Sequence, residues 1–251
     1  MSPVDLLIFG AISLVASTFS GAAGAGGGFL TTPTLIFLGL APAQAISSGK
    51  FGGLAVAIGS LIGMRQRQNR KLWRKAMPII MLAFAIGLLA PFVIKNFDSS
   101  LYQRSLGILL LLMVPVLVYK KVGVPKKPPA KRTAAKTVFG GALLSLALGL
   151  QAIFSGGMGT LVNVVLMGMF GMSAIEANVV KRYSQLILNV TIVIGVLWSG
   201  LLVWPVIAVG ITTSLCGSFI GGKLAVKKGD AFVMNAFLAA MVISGVLLVI
   251  G

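Results

Sequence analysis

The sequence predicts an all-α polytopic membrane protein made of two inverted-topology repeats, and three observations carry that expectation. The chain has 251 residues, 57% hydrophobic and only 10% charged, with a mean hydropathy of +1.03. Average soluble proteins carry roughly 25% charged residues, so this chain could not cover a water-facing surface. Apolar runs such as "MPIIMLAFAIGLLAPFVI" (77–94) and "VMNAFLAAMVISGVLLVI" (233–250) are each long enough to cross a hydrocarbon core of about 30 Å. Finally, a single constant shift lays one half of the chain on the other without a gap.

In that alignment "GAGGGFLTTPTLIFLGLAPAQAISSGK" (24–50) falls on "GGMGTLVNVVLMGMFGMSAIEANVVKR" (156–182). Gly24 meets Gly156, Gly27 meets Gly159, Gly39 meets Gly171 and Ala45 meets Ala177. Small residues coincide by chance in membrane helices. The pairing of Lys50 with Arg182 and of Asp98 with Asp230 is harder to dismiss.

Each half then reads as five hydrophobic segments, giving eight to ten transmembrane helices. The first repeat, 1–119, holds segments at about 4–23, 26–40, 42–64, 76–94 and 101–119. The second, 137–251, holds them at about 137–155, 158–172, 174–199, 204–222 and 231–250. The opening segment lacks a basic flank and carries Asp5, so it reads as a retained helix rather than a signal peptide. The second segment of each set is short, begins with glycines and barely spans at about 1.5 Å per residue.

The basic tracts "RQRQNRKLWRK" (65–75) and "KKVGVPKKPPAKRTAAK" (120–136) belong on the cytoplasmic side, with "KNFDSS" (95–100) outside. The second tract is the linker between repeats, too polar and proline-broken to sit in lipid. In the second half "SGLLVW" (199–204) is uncharged and Lys223, Lys227 and Lys228 mark the following connection as cytoplasmic. That reversal needs an odd number of crossings per half. Five crossings each give an inverted repeat in the cell inner membrane with both termini outside.

The same reading excludes several function classes. The net charge of +17 comes from short loop tracts, so nucleic acid is not the expected partner. The glycine run is not a nucleotide loop, since GxxxxGK[ST] is absent and no βαβ pattern surrounds it. With no histidine and a single cysteine, neither a disulfide within the chain nor a Cys/His metal site is available, and no cofactor is expected. Cys216 reads as an inert buried thiol. A membrane-embedded enzyme would want a buried His, Cys or carboxylate pair, and none is apparent, so the chain is not expected to be an enzyme.

Inverted repeats with paired short, glycine-interrupted segments are the architecture of secondary transporters, whose sites lie between repeats near the bilayer midplane. Lys50 and Arg182 each lie about eight residues, roughly 12 Å, into their helices from opposite membrane faces. A charge at that depth costs about 2.5–3.5 kcal/mol on insertion scales and is functional by default. Snorkelling or pairing with a carboxylate are the structural explanations, but deep acids are scarce here.

The candidate shell for a small anion is therefore Gly26, Gly27, Gly28, Thr31, Ser47, Ser48 and Lys50 from the first half. From the second half it takes Ser155, Gly157, Gly159, Thr160, Arg182, Gln185 and Asn189. Helix-start amides in the glycine segments favour anions. Ordinary interhelical hydrogen bonding explains any one polar residue equally well, and Gly59/Gly63 and Gly217/Gly221 have the GxxxG spacing of helix packing. Glu176 is the acid nearest the path and the candidate for proton coupling, although its shallow position suits a surface role. The alternatives are transport of another small ion and a membrane sensor without flux. A homo-oligomer remains open.

At these residues the sequence resembles the sulfite exporter TauE/SafE family, also called TSUP. The family pattern GxGGGxLxxPxLxxxGxxPxxAxxxxK is matched by Gly24, Gly26, Gly27, Gly28, Pro33, Gly39, Pro42, Ala45 and Lys50. A weaker copy in the second half keeps Gly159, Gly171, Ala177, Asn178, Arg182 and Asn189. Similarity extends to Trp73 and Trp204 and over essentially the whole chain. The resemblance implies transport, with export as the direction, of a small sulfur-containing anion such as sulfite or an organosulfonate like sulfoacetate. Met158, Thr160, Val165, Val179 and Val180 depart from the pattern, which makes the two half-sites chemically unequal.

Overall fold

The computed structural model describes residues 1–24, 28–95, 134–154 and 159–250, and their regular structure is helical throughout. The elements are α1 (Pro3–Ala23), α2 (Gly28–Phe37), α3 (Pro42–Gly63), a 3-10 turn at Arg65–Arg67, α4 (Arg70–Lys95), α5 (Ala134–Phe154), α6 (Gly159–Phe170), α7 (Ala174–Val196) and α8 (Trp204–Ile250). Among the described residues five stretches are long and apolar enough to cross a membrane: Pro3–Ala23, Pro42–Gly63, Arg70–Ile94, Ala174–Val196 and Trp204–Gly229. This is an all-helical, multi-pass membrane protein. The segments expected at 101–119 and the linker up to 133 lie outside the described residues.

Local chemistry sets the helix ends. Ser2 and Asp5 form a capping box on α1, with Ser2 N donating to Asp5 Oδ2 at 2.7 Å and Asp5 N to Ser2 Oγ at 3.2 Å. Ser173 and Glu176 do the same for α7, at 3.3 and 3.2 Å. Pro42 opens α3, where a missing N–H costs nothing. The short helices α2 and α6 both stop at a left-handed glycine, Gly39 (φ 90°) and Gly171 (φ 59°), the pair that the sequence shift superposes.

Three expectations change. Helix α4 begins at Arg70, inside the basic tract, because Asn69 Oδ1 accepts from Leu72 N at 2.8 Å and caps it there. Segments 204–222 and 231–250 are joined by helix, interrupted only at Gly229 (φ 79°), so Lys223, Lys227 and Lys228 stand on helix rather than in a loop. Cys216 is exposed on α8, not buried. In a bilayer an apolar side chain gains as much facing lipid tails as facing protein, so apolarity alone does not predict burial.

Helix packing uses backbone approach. Helix α8 lies against both α1 and α3. A Cβ added at Gly217 would sit 2.4 Å from the Leu14 carbonyl oxygen, and one at Gly221 2.0 Å from that of Thr18. On the other side, one at Gly59 would sit 2.5 Å from the Leu215 oxygen and one at Gly63 2.6 Å from that of Phe219. Both GxxxG pairs therefore serve packing. The partner arrangement is α4 on α7, where Gly195 meets Pro91 as Gly63 meets the backbone of Lys223. The shift that carries Lys50 onto Arg182 also carries Gly63 onto Gly195 and Pro91 onto Lys223. Apolar side chains including Ile46, Ile79, Leu148, Leu166 and Leu188 fill the space among α3 to α7.

Candidate functional site

Helix α1 ends inside the protein body: Gly24 N closes its last turn on the Ser20 carbonyl at 2.7 Å, and the carbonyls after Ser20 have no helical donor. Side chains of α6 and α7 donate at five consecutive positions, Ser20 to Gly24. Arg182 Nη2 donates to the Ser20 carbonyl and, at 3.3 Å, to Ser20 Oγ. Asn178 Nδ2 donates to the Gly21 and Ala22 carbonyls at 3.5 and 3.2 Å, and Asn163 Nδ2 to Ala23 at 3.5 Å. Lys181 Nζ donates to Gly24. Gly24 must be glycine: its φ is +75°, and a Cβ would lie 2.3 Å from Asn163 Nδ2 and 2.7 Å from Asn178 Oδ1.

The other half repeats the device in lighter form. Lys50 Nζ donates to the carbonyl of Ala152, and at 3.4 Å to that of Gln151, in the last turn of α5. The same sequence shift that superposes Lys50 on Arg182 superposes Ser20 on Ala152. Between the two clusters Gln185 accepts from Arg182 Nη1 at 2.7 Å and donates to the Gly53 carbonyl at 3.3 Å. Gly53 and Gln185 are themselves superposed by that shift. Asn189 packs beside Gly53, 2.7 Å from where a Cβ would be.

Three of the expected residues share a cavity. Gly28, Thr31 and Ser48 line a space of about 20 Å³, together with Ser13 and Ser214, room for about one water. Ser48 Oγ also accepts from Val203 N at 3.0 Å, just ahead of α8. Ser214 Oγ bonds Ser13 at 3.1 Å and Ser17 at 3.0 Å. Ser48 and Lys50 are two positions apart on α3 and so point to different sides. The structure thus separates a hydroxyl cavity from the Lys50 cluster. Ser47, three positions before Lys50, is fully buried with no partner for its hydroxyl among the described residues, as is Gln151 Oε1.

Gly159 opens α6 against Lys181, whose Nζ would be 2.2 Å from a Cβ there. Thr160 follows in the same turn, while Gly26, Gly27, Ser155 and Gly157 lie outside the described residues. Glu176 is engaged in the α7 capping box with Ser173.

Sequence reasoning passed over Lys181, Asn163 and Asn178 as site residues. Lys181 carried the same signal as Arg182, a charge well inside an apolar helix. The asparagines carried only the weak signal of amides in membrane helices. What burial does electrostatically is plain. Lys50, Lys181 and Arg182 are 2%, 0% and 0% exposed, and neither Asp5 nor Glu176, the acids whose side chains are described, is buried. Helix C-termini carry partial negative charge, and two of them meet these basic groups. Arg182 Nε has no partner among the described residues, so the cluster keeps spare donor capacity.

Residues 9–248 match the family described as Sulfite exporter TauE/SafE. A Haemophilus influenzae protein described as a probable membrane transporter protein is 26% identical over 236 residues, covering 92% of this chain and 89% of its own. No solved structure matches. A match spanning both cation clusters and both glycine-led helices places the protein: the chain belongs to the sulfite exporter TauE/SafE family of membrane transporters.

Proposed function

We propose that the protein is a secondary transporter, not an enzyme, that exports a small sulfur-containing anion such as sulfite or an organosulfonate like sulfoacetate. The observation that carries this reading is the burial of three basic side chains, Lys50, Lys181 and Arg182, against two helix C-termini, with no buried carboxylate among the described side chains. An oxyanion entering between the halves meets these basic groups. Lys50 is the contact cation, with Ser47 and Gln151 as neighbouring unpartnered polar groups, and the glycine-led starts of α2 and α6 supply amides. Arg182 faces it from the second half. The repetition of contacts at one constant sequence shift supports two inverted repeats moving against each other, in the inner membrane with both termini outside.

Flux of labelled sulfite, sulfoacetate, thiosulfate, sulfate and chloride into proteoliposomes, with and without a pH gradient, tests the reading. Saturable flux of a sulfur anion that disappears in Lys50→Ala is expected. Flux of a cation, or anion binding without flux, would move the assignment to another ion or to a sensor.

A further inference from the structure

Helix α4 and helix α5 enclose a half-open groove of about 390 Å³, walled by Pro78, Ile79, Leu82, Gly141, Leu144 and, beyond the end of α6, Met172. Its lining is apolar except at one end, where Lys75 closes it. On α4 the positions Lys71, Lys75, Pro78 and Leu82 follow at helical spacing along one face. That face therefore runs from exposed cations into hydrocarbon-like surface within a few turns. Arg70, Lys71 and Arg74 are exposed around the charged end. Trp73 is 45% exposed and stands edge-on to Tyr183 at 4.8 Å, as amphipathic rings do at headgroup level.

We propose that this groove is a binding site for an anionic glycerophospholipid, with its phosphate on Lys75 and Lys71 and one acyl chain between α4 and α5. Charge decides the occupant. A packed apolar helix, from this chain or a second copy, would cover the groove but leave the cations at its end without counter-charge, whereas an anionic lipid matches both ends at once. Polybasic segments at a membrane surface attract anionic headgroups in general. The groove adds a chain-shaped receptor directly below one of the cations. The groove shares no lining residue with the Lys50 and Arg182 clusters.

The test compares protein in nanodiscs of phosphatidylcholine alone with protein in discs that also contain phosphatidylglycerol, reading retained lipid by native mass spectrometry and the unfolding temperature. Phosphatidylglycerol should be retained preferentially and raise the unfolding temperature. Lys75→Gln should lower retention roughly fivefold, the size of one surface cation's attraction. Gly141→Leu should lower it at least as much without touching a charge, because a Cβ at Gly141 meets nothing within 4 Å and the new side chain fills the groove. Arg65→Gln with Arg67→Gln, on the neighbouring 3-10 turn, should leave retention nearly unchanged. Equal losses in Lys75→Gln and in the Arg65/Arg67 variant, with none in Gly141→Leu, would reduce the site to a general basic surface, and retention unaffected by Lys75→Gln and Gly141→Leu would remove it altogether.

Discussion

The ammonium of Lys50 donates to the main-chain carbonyl of Ala152, across 102 residues of sequence. The same bond recurs at the superposed positions of the other half, where Arg182 donates to Ser20. Each half of the protein thus sends a basic side chain to hold the end of the other half's first helix, and the second half adds Lys181 at Gly24. The two holds are unequal. Around Ser20 to Gly24 four side chains share the work, while Lys50 serves both Gln151 and Ala152.

That inequality separates the two cations experimentally. Lys50→Gln should reduce anion flux at least tenfold while the protein still inserts and survives size-exclusion chromatography. Lys50→Arg should restore part of the flux, because a cation is again present. Normal flux in Lys50→Gln would end the charge-contact reading.

Lys181→Met and Arg182→Gln should act first on stability. Lys181→Met leaves the Gly24 carbonyl without its side-chain donor, a loss of about 1–3 kcal/mol for an unsatisfied polar group, whereas Arg182→Gln removes one of two donors to the Ser20 carbonyl, which keeps Gly24 N, and should cost less. The double variant should fall short of the sum of the singles, since both residues serve one helix end. Detergent-solubilised thermal melts of the four proteins measure this coupling; strict additivity would show that the two act independently.

Gly24→Ala and Gly39→Ala form a matched pair. Both residues are left-handed, but only Gly24 is crowded, with Asn163 Nδ2 2.3 Å from the new Cβ and nothing within 4 Å at Gly39. Gly39→Ala should cost about 1–2 kcal/mol, the backbone penalty alone. Gly24→Ala should cost more and disturb the Lys181 contact. Comparing unfolding midpoints checks the order, and equal costs would show that α6 and α7 yield freely.

Glu176→Gln should keep flux and its dependence on a pH gradient. Glutamine preserves the capping-box geometry with Ser173, so stability should change by less than about 1 kcal/mol. Selective loss of gradient dependence in this variant would instead establish Glu176 as the coupling group.

Cys216, exposed on α8, should react with a lipophilic maleimide in intact membranes while a charged, membrane-impermeant thiol reagent leaves it alone. Mass spectrometry of the labelled protein distinguishes the two; labelling by the charged reagent would place that face of α8 in water.

Much of the architecture was legible in the sequence because bilayer and helix impose separate regularities on it. Crossing lengths located α1, α3, α4 and α7 to within a few residues of their observed ends, apart from the basic first turns of α4. The constant shift between halves named Lys50 and Arg182 as counterparts before any contact was known. Sequence could not say what those charges touch. A lysine in hydrocarbon needs partners, but whether they are carboxylates, water or carbonyls depends on where another helix happens to stop. Tertiary structure decided that α1 and α5 end beside α7 and α3, so helix C-termini meet the cations, and that Lys181, Asn163 and Asn178 complete the cap. It also put Ser48 and Lys50 on different sides of α3, dividing one expected shell into a cavity and a charged cluster. Periodicity and burial cost act along a chain and can be read there; the choice of partner depends on which chain ends the packing brings together.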